Sequence, residues 1–140
     1  MDPEPSRKLP RVVYQLGWVS LLADVSTEMV YPLVPLFMRS VLKAPVAALG
    51  LIEGMAEGIV SIMKGWSGWH SDRSGRRLPY MQWGYGLSAL GKPLLSLATG
   101  WPMVMGGRLI DRLGKGIRGT ARDAYMLDAI DPRTKGRAFG

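Results

Sequence analysis

Ionisable side chains set inside long apolar segments constrain this chain more than any other feature. Four such segments, at about residues 12–38, 44–66, 78–99 and 101–130, are long enough to be helices. The connections between them are too short to hold separate domains, and no period-two alternation long enough for a sheet interrupts them. Asp24 and Glu28 stand four residues apart in the first segment, and Glu53 and Glu57 repeat the spacing in the second. Each pair therefore shares one helix face. At about 1.5 Å per residue, Asp24 lies roughly 18 Å from a start near Val12, close to the middle of a bilayer. An ionisable group there costs at least about 2.5–3.5 kcal/mol on insertion scales. Two like-charged pairs at similar depth must face a polar interior, not acyl chains.

The fourth segment holds the counter-charges. Turned at about 100° per residue, Arg108, Asp111, Arg112, Lys115, Arg118, Arg122 and Asp123 fall within an arc of roughly 140°. Leu109, Ile110, Leu113, Ile117, Ala121, Ala124 and Leu127 occupy the opposite side. The basic arc is expected to line the same interior as the four carboxylates. By helical rise, Glu53, Asp111 and Arg112 lie about 14–16 Å below the outer boundary, with Arg108 about 5 Å shallower and Asp24 nearby. Asp24, Glu53, Arg108 and Arg112 are thus expected to form one layer. Burial disfavours an ionised carboxylate and a neighbouring arginine favours it. If burial prevails at Asp24 or Glu53, that residue can carry a proton; if pairing prevails, it is structural.

Composition alone misleads. The 140 residues leave room for one domain and are 47% hydrophobic, yet the mean hydropathy of +0.06 resembles that of a soluble protein. Eighteen Lys and Arg against eleven Asp and Glu give a net charge of +7, which suits nucleic acid or an anionic membrane surface. No zinc spacing, RNA-binding aromatic motif or long basic tail supports nucleic acid. Cysteine is absent, so neither disulfides nor thiolate chemistry enters. Residues 1–11 read as a flexible cytoplasmic leader. Arg7, Lys8 and Arg11 before an apolar run imitate a secretory signal, but no small-x-small cleavage site follows and apolar character resumes through Met38. Pro32 and Pro35 should bend the outer end of this first, uncleaved helix. With the N-terminus inside, nine basic residues (Arg7, Lys8, Arg11, Arg73, Arg76, Arg77, Arg133, Lys135, Arg137) flank the inner ends, against Arg39 and Lys43 outside. That asymmetry predicts an N-in orientation.

Between the second and third segments, Gly68-Trp69-His70-Ser71-Asp72-Arg73-Ser74-Gly75-Arg76-Arg77 fits G-x-x-x-D-R-x-G-R-R at every fixed position. It resembles the cytoplasmic loop between helices two and three of major facilitator superfamily transporters. The resemblance implies that Gly68 permits close helix approach and that Asp72 sits against the end of a helix in the other half. It also implies that Arg73, Arg76 and Arg77 bind carboxylates or lipid head groups, latching one state of an alternating-access cycle. Asp128 becomes an expected partner of Arg76 or Arg77. Arg108, Gly114 and Gly116 likewise match the fourth-helix motif R-x-x-x-G-x-G-x-A/G, which links Arg108 to proton coupling. Arg112 stands where that motif has glycine, and is expected to disturb close packing at that turn. Asp131 to Gly140 resembles the loop that runs into a fifth helix, itself absent here. The superfamily has two six-helix halves, so the resemblance covers about a third of a transporter.

The fold expected is all-α: a polytopic membrane bundle of four transmembrane helices, multi-pass, with the plasma (inner) membrane as its expected location. Gly50, Gly54 and Gly58 form a small-residue stripe expected to pack a neighbouring helix closely, and Gly84, Gly86 and Gly91 are expected to do likewise. Gly114 to Gly119 satisfies G-x-G-x-x-G, but no strand precedes it. Neither a metal site around the single His70 nor a nucleophile with an adjacent base is indicated, so no enzyme and no cofactor is expected. The partners expected are the lipid bilayer, an unidentified small molecule or ion, and the remaining helices or a complementary chain. Two rival readings are a small four-helix antiporter acting as a dimer and a membrane scaffold that transports nothing. The protein should stay with the membrane fraction until detergent releases it; recovery as a compact monomer in detergent-free buffer would overturn the membrane assignment.

Overall fold

A computed structural model describes residues 10–130; Asp131 to Gly140 and nearly all of the expected leader lie outside the described residues. The architecture is all-helical: α1 (Arg11–Val30), α2 (Leu33–Ser40), α3 (Val46–Ser74), α4 (Leu78–Ser96) and α5 (Trp101–Ala129). The first expected segment is interrupted where its prolines demand. Pro32 has no N–H to donate and its ring blocks the preceding turn. The helix therefore ends at Val30, with the Tyr31 amide donating to the Thr27 carbonyl at 3.0 Å, and restarts at Leu33 as α2.

The second segment runs further than its apolar character suggests. α3 continues to Ser74 and takes in Gly68 to Ser74 of the decapeptide, a stretch expected to be connecting loop. Loss of hydrophobicity marks where a helix leaves the apolar layer, not where its backbone hydrogen bonds stop. The stop comes at Gly75, whose φ of +63° closes the helix in the left-handed conformation that glycine accepts without strain. Only Gly75, Arg76 and Arg77 then connect α3 to α4.

α5 is the centre of the assembly, with α4 and α3 packed along it and α1 touching it more lightly. This is the most highly charged helix of the chain, yet Arg108, Asp111, Arg112 and Arg118 are all buried. On its aliphatic side Ala121 is buried, but Leu109, Ile110, Leu113, Ile117 and Ala124 are only half-buried and Leu127 is exposed. The outward surface elsewhere is apolar, with Trp18, Leu22, Met29, Ile62, Trp83 and Leu90 exposed. Charges inside and large hydrophobes outside is the inverse of a soluble bundle. Two stretches, Arg11–Ser40 and Val46–Ser74, are long and apolar enough to cross a membrane. Only 17% and 22% of their apolar windows are buried, whereas the core helix of a soluble protein would be mostly covered. The chain is an integral membrane bundle.

Glycine decides how closely α4 and α5 approach. A methyl group at Gly114 would lie 2.5 Å from the Gly84 carbonyl oxygen and 2.7 Å from the Ser88 amide. One at Gly91 would lie 2.8 Å from the Gly107 carbonyl. The Ser88 hydroxyl uses this proximity to donate to the Asp111 carbonyl at 3.1 Å. On the other side, Gly116 meets α3, and the Ser67 hydroxyl donates to its carbonyl at 3.4 Å. Close packing against α4 thus survives on either side of Arg112, contrary to expectation, because Arg112 projects toward Glu57 of α3. Gly116, one turn on and on the same face as Arg112, also packs closely, against Val60 and Met63 of α3. The expected stripe on α3 behaves otherwise. Gly50, Gly54 and Gly58 have no atom of the described residues within 4 Å of a built methyl group, and neither has Gly86. No described helix covers them.

These contrasts fix a test. Gly114→Ala should lower stability in mild detergent by about 1–3 kcal/mol through overpacking. Gly54→Ala should stay within about 0.5 kcal/mol of the parent. Tryptophan fluorescence during thermal unfolding reads both, and equal losses would mean that the α4–α5 approach is wrong.

Candidate functional site

Three arginines of α5 face carboxylates of two other helices. Nearest the Trp101 end, Arg108 is 1% exposed, and its Nη2 donates to both Glu53 carboxylate oxygens at 2.8 and 3.0 Å. About one turn on, Arg112 Nη1 lies 3.6 Å from Glu57 Oε1. Further along, Arg118 Nη2 donates to Asp24 Oδ1 at 3.1 Å. The i, i+4 spacing on α3 matches that on α5, so two successive turns pair in register.

Aromatic rings complete the environment. Arg108 and Arg112 both lie over the ring of Tyr31, at 4.8 and 5.6 Å from its centroid. Arg118 lies 4.7 Å from the centroid of Tyr85 on α4. A ring face attracts a cation most when water is excluded, by about 2 kcal/mol or more when desolvated. Tyr31 sits at the proline break between α1 and α2, so the bend places it beneath two guanidinium groups.

The expected four-residue layer is only partly formed. Glu53 pairs with Arg108, but Asp24 pairs with Arg118, about 9 Å further along α5 than Arg112 by helical rise. Counting from helix starts misplaces Asp24, because α1 begins at Arg11 and need not run level with α5. Glu28 is exposed and belongs to none of the ion pairs among the described residues. Asp111 is 3% exposed, also in none of them, and its Oδ1 has no hydrogen-bond partner. It lies on the α4 side of α5, beside Gly91.

A second cluster lies where α3 ends and α4 begins. Arg77 bridges two carboxylates, with Nε 2.9 Å from Asp128 Oδ2 and Nη2 3.4 Å from Asp72 Oδ1. It thereby ties the ends of α3 and α5. Both carboxylates are well exposed, so each contact is worth only about 0–1 kcal/mol. Arg73 lies over Trp69 at 5.9 Å, Gly68 packs against Thr120, and Arg76 is exposed. His70 stacks on Trp66 at 5.4 Å and hydrogen-bonds the Tyr80 hydroxyl, a local aromatic contact far from the buried pairs.

Two motifs of one membrane-helix architecture, both standing at helix contacts, place the chain among known proteins. The Major Facilitator Superfamily profile matches residues 16–140. This chain belongs to the major facilitator superfamily. It is 36% identical over 137 residues to an uncharacterised MFS-type transporter of Methanocaldococcus jannaschii, covering 98% of this chain and 34% of that one. It is 30% identical over 135 residues to uncharacterised proteins of Mycobacterium tuberculosis and Mycobacterium bovis, covering 96% of this chain and 33% of each. The chain thus spans about a third of the length of these curated relatives. No solved structure matches it.

Within this superfamily member, sequence reasoning does not single out Tyr31, Tyr85 or the pairing role of Arg118. The tyrosines carry no signal beyond position. Arg118 lies on the basic arc, and its depth could be matched to Asp24 only if the relative heights of α1 and α5 were known. The buried pair gives a sharp expectation. Glu53→Gln strands the Arg108 charge and should cost about 3–5 kcal/mol, whereas Glu53→Leu with Arg108→Leu should recover most of it. Unfolding of both variants in one detergent decides this; equal losses would deny the pairing.

Proposed function

We propose that this chain forms the first four helices of a secondary active transporter that moves a small solute by alternating access. The observation that supports this best is the row of Arg–carboxylate pairs between α5 and its neighbours, within a member of a transporter superfamily. The arginines of this row are buried and can exchange partners when helices rock, since each charge needs only some counter-charge nearby. Proton or ion coupling would act on the same residues, with Asp24, Glu53, Glu57, Arg108, Asp111 and Arg112 as participants. The weak, exposed Arg77 bridge to Asp72 and Asp128 suits a latch that must open in every cycle. In this reading the N-terminus is cytoplasmic, the membrane is the plasma membrane, and Gly68 to Arg77 lies at the inner gate.

The test uses the chain with any coding sequence that continues past Gly140, purified into proteoliposomes. Vesicles would be offered a mixed pool of small metabolites, with and without an imposed pH gradient, and their contents analysed by mass spectrometry. At least one solute should move above the level of empty vesicles, and Glu53→Gln should slow it about tenfold or more. Asp72→Asn should slow it less, because it loosens a surface latch and leaves the interior charged. Wild-type vesicles that move nothing under either condition overturn the transport reading.

A further inference from the structure

A cavity of about 400 Å³ opens between α1, α3 and α5, beyond the Asp24–Arg118 pair on the side of the Arg77 latch. Four cations line it, Lys64, Lys115, Arg118 and Arg122, against two carboxylates, Asp24 and Asp123. The carboxylates are both committed. Asp24 accepts from Arg118 at 3.1 Å, and Asp123 accepts from Arg122 at 2.8 and 2.9 Å. Among the described residues Lys64 and Lys115 have no carboxylate within ion-pair distance, which leaves the lining with two uncompensated positive charges. Arg118 is 3% exposed, and its Nε has no hydrogen-bond partner. A buried guanidinium with an unsatisfied N–H, lining one cavity with two uncompensated ammonium groups, suits the recognition of an anion. The volume falls within the usual range for small-molecule sites.

A helix contact borders the cavity, and a glycine leaves room within it. The Thr120 hydroxyl donates to the Lys64 carbonyl at 3.2 Å and holds α3 against α5 at the cavity's edge. Gly119 supplies no side chain to the basic face, and a methyl group built there meets nothing within 4 Å. We propose that this cavity binds an anionic group, a phosphate or carboxylate, held by Lys64, Lys115 and Arg118. The group belongs either to a soluble organic anion or to an anionic lipid headgroup. The inference rests on the transporter reading only in making the soluble anion a candidate cargo; the binding itself stands apart from transport.

The chain has no cysteine, so Gly119→Cys places a single thiol in the cavity. The Gly119→Cys protein in phosphatidylcholine nanodiscs would be treated with a small maleimide, with chloride, inorganic phosphate, succinate or tetraethylammonium at matched ionic strength. Phosphate or succinate should slow modification at least fivefold over chloride, and tetraethylammonium should not. Adding Lys115→Gln should raise the half-protecting anion concentration about tenfold, and adding Lys92→Gln, at a residue outside this cavity, should leave it unchanged. Protection only when the discs contain phosphatidylglycerol supports the anion site and assigns it to a lipid. No protection by phosphate, succinate or phosphatidylglycerol, or protection unaltered by Lys115→Gln, overturns it. Uptake by wild-type proteoliposomes in that event would leave the transport reading standing.

Discussion

Neutralising the charge of α5 within the bilayer is the constraint on which the rest depends. This helix carries arginines where acyl chains would otherwise lie, and none can be left unpaired at tolerable cost. The solution is geometric. α3 and α1 bring their carboxylates alongside α5, and Tyr31 and Tyr85 cover the guanidinium groups with ring faces. Helix α5 must then be innermost, which explains why the most polar helix is the most deeply buried. The remaining helices take the lipid-facing positions because their surfaces are apolar.

Close backbone packing follows from the same demand. Charge pairing fixes which faces of α3 and α5 meet, while small residues fix how near α4 comes. Gly84, Gly91, Gly107 and Gly114 let the two backbones touch, so polar groups such as the Ser88 hydroxyl find backbone carbonyls as partners. In lipid there is little hydrophobic force between helices, and van der Waals contact at small residues takes its place. Among the described residues nothing covers the faces of Gly50, Gly54 and Gly58.

Much of this is legible in the amino-acid sequence. Interior charge spacing marks the helix faces, the prolines mark the α1–α2 break, and the family resemblance points to Arg76 or Arg77 as the partner of Asp128, of which the structure pairs Arg77. What stays hidden is relative height. A sequence shows which residues share a face but not how far one helix slides along another, so Asp24 is placed in a layer with Arg108 and Arg112 when it pairs with Arg118. Helix ends are hidden for a related reason: polarity reports the edge of the membrane, while hydrogen bonding carries α3 on to Gly75. Tyr31 is invisible because its position depends on a bend whose angle no local pattern encodes.

The two charge clusters differ in a way that bears on motion. Arg108 is sealed and grips Glu53 through both carboxylate oxygens, so separating them in place would expose a bare charge to a low-dielectric interior. Arg77 reaches two exposed carboxylates that water can solvate at once when the contact opens. Opening at the Arg77 end therefore costs little, and opening at the Arg108 end requires a substitute partner to arrive as the old one leaves. Between them lies the cavity where, among the described residues, Lys64 of α3 and Lys115 of α5 have no carboxylate partner. An anion arriving there would supply the missing charge and lower the cost of moving α1 away from Arg118. Occupancy and helix movement would then be coupled by electrostatics alone, with no need for a separate relay.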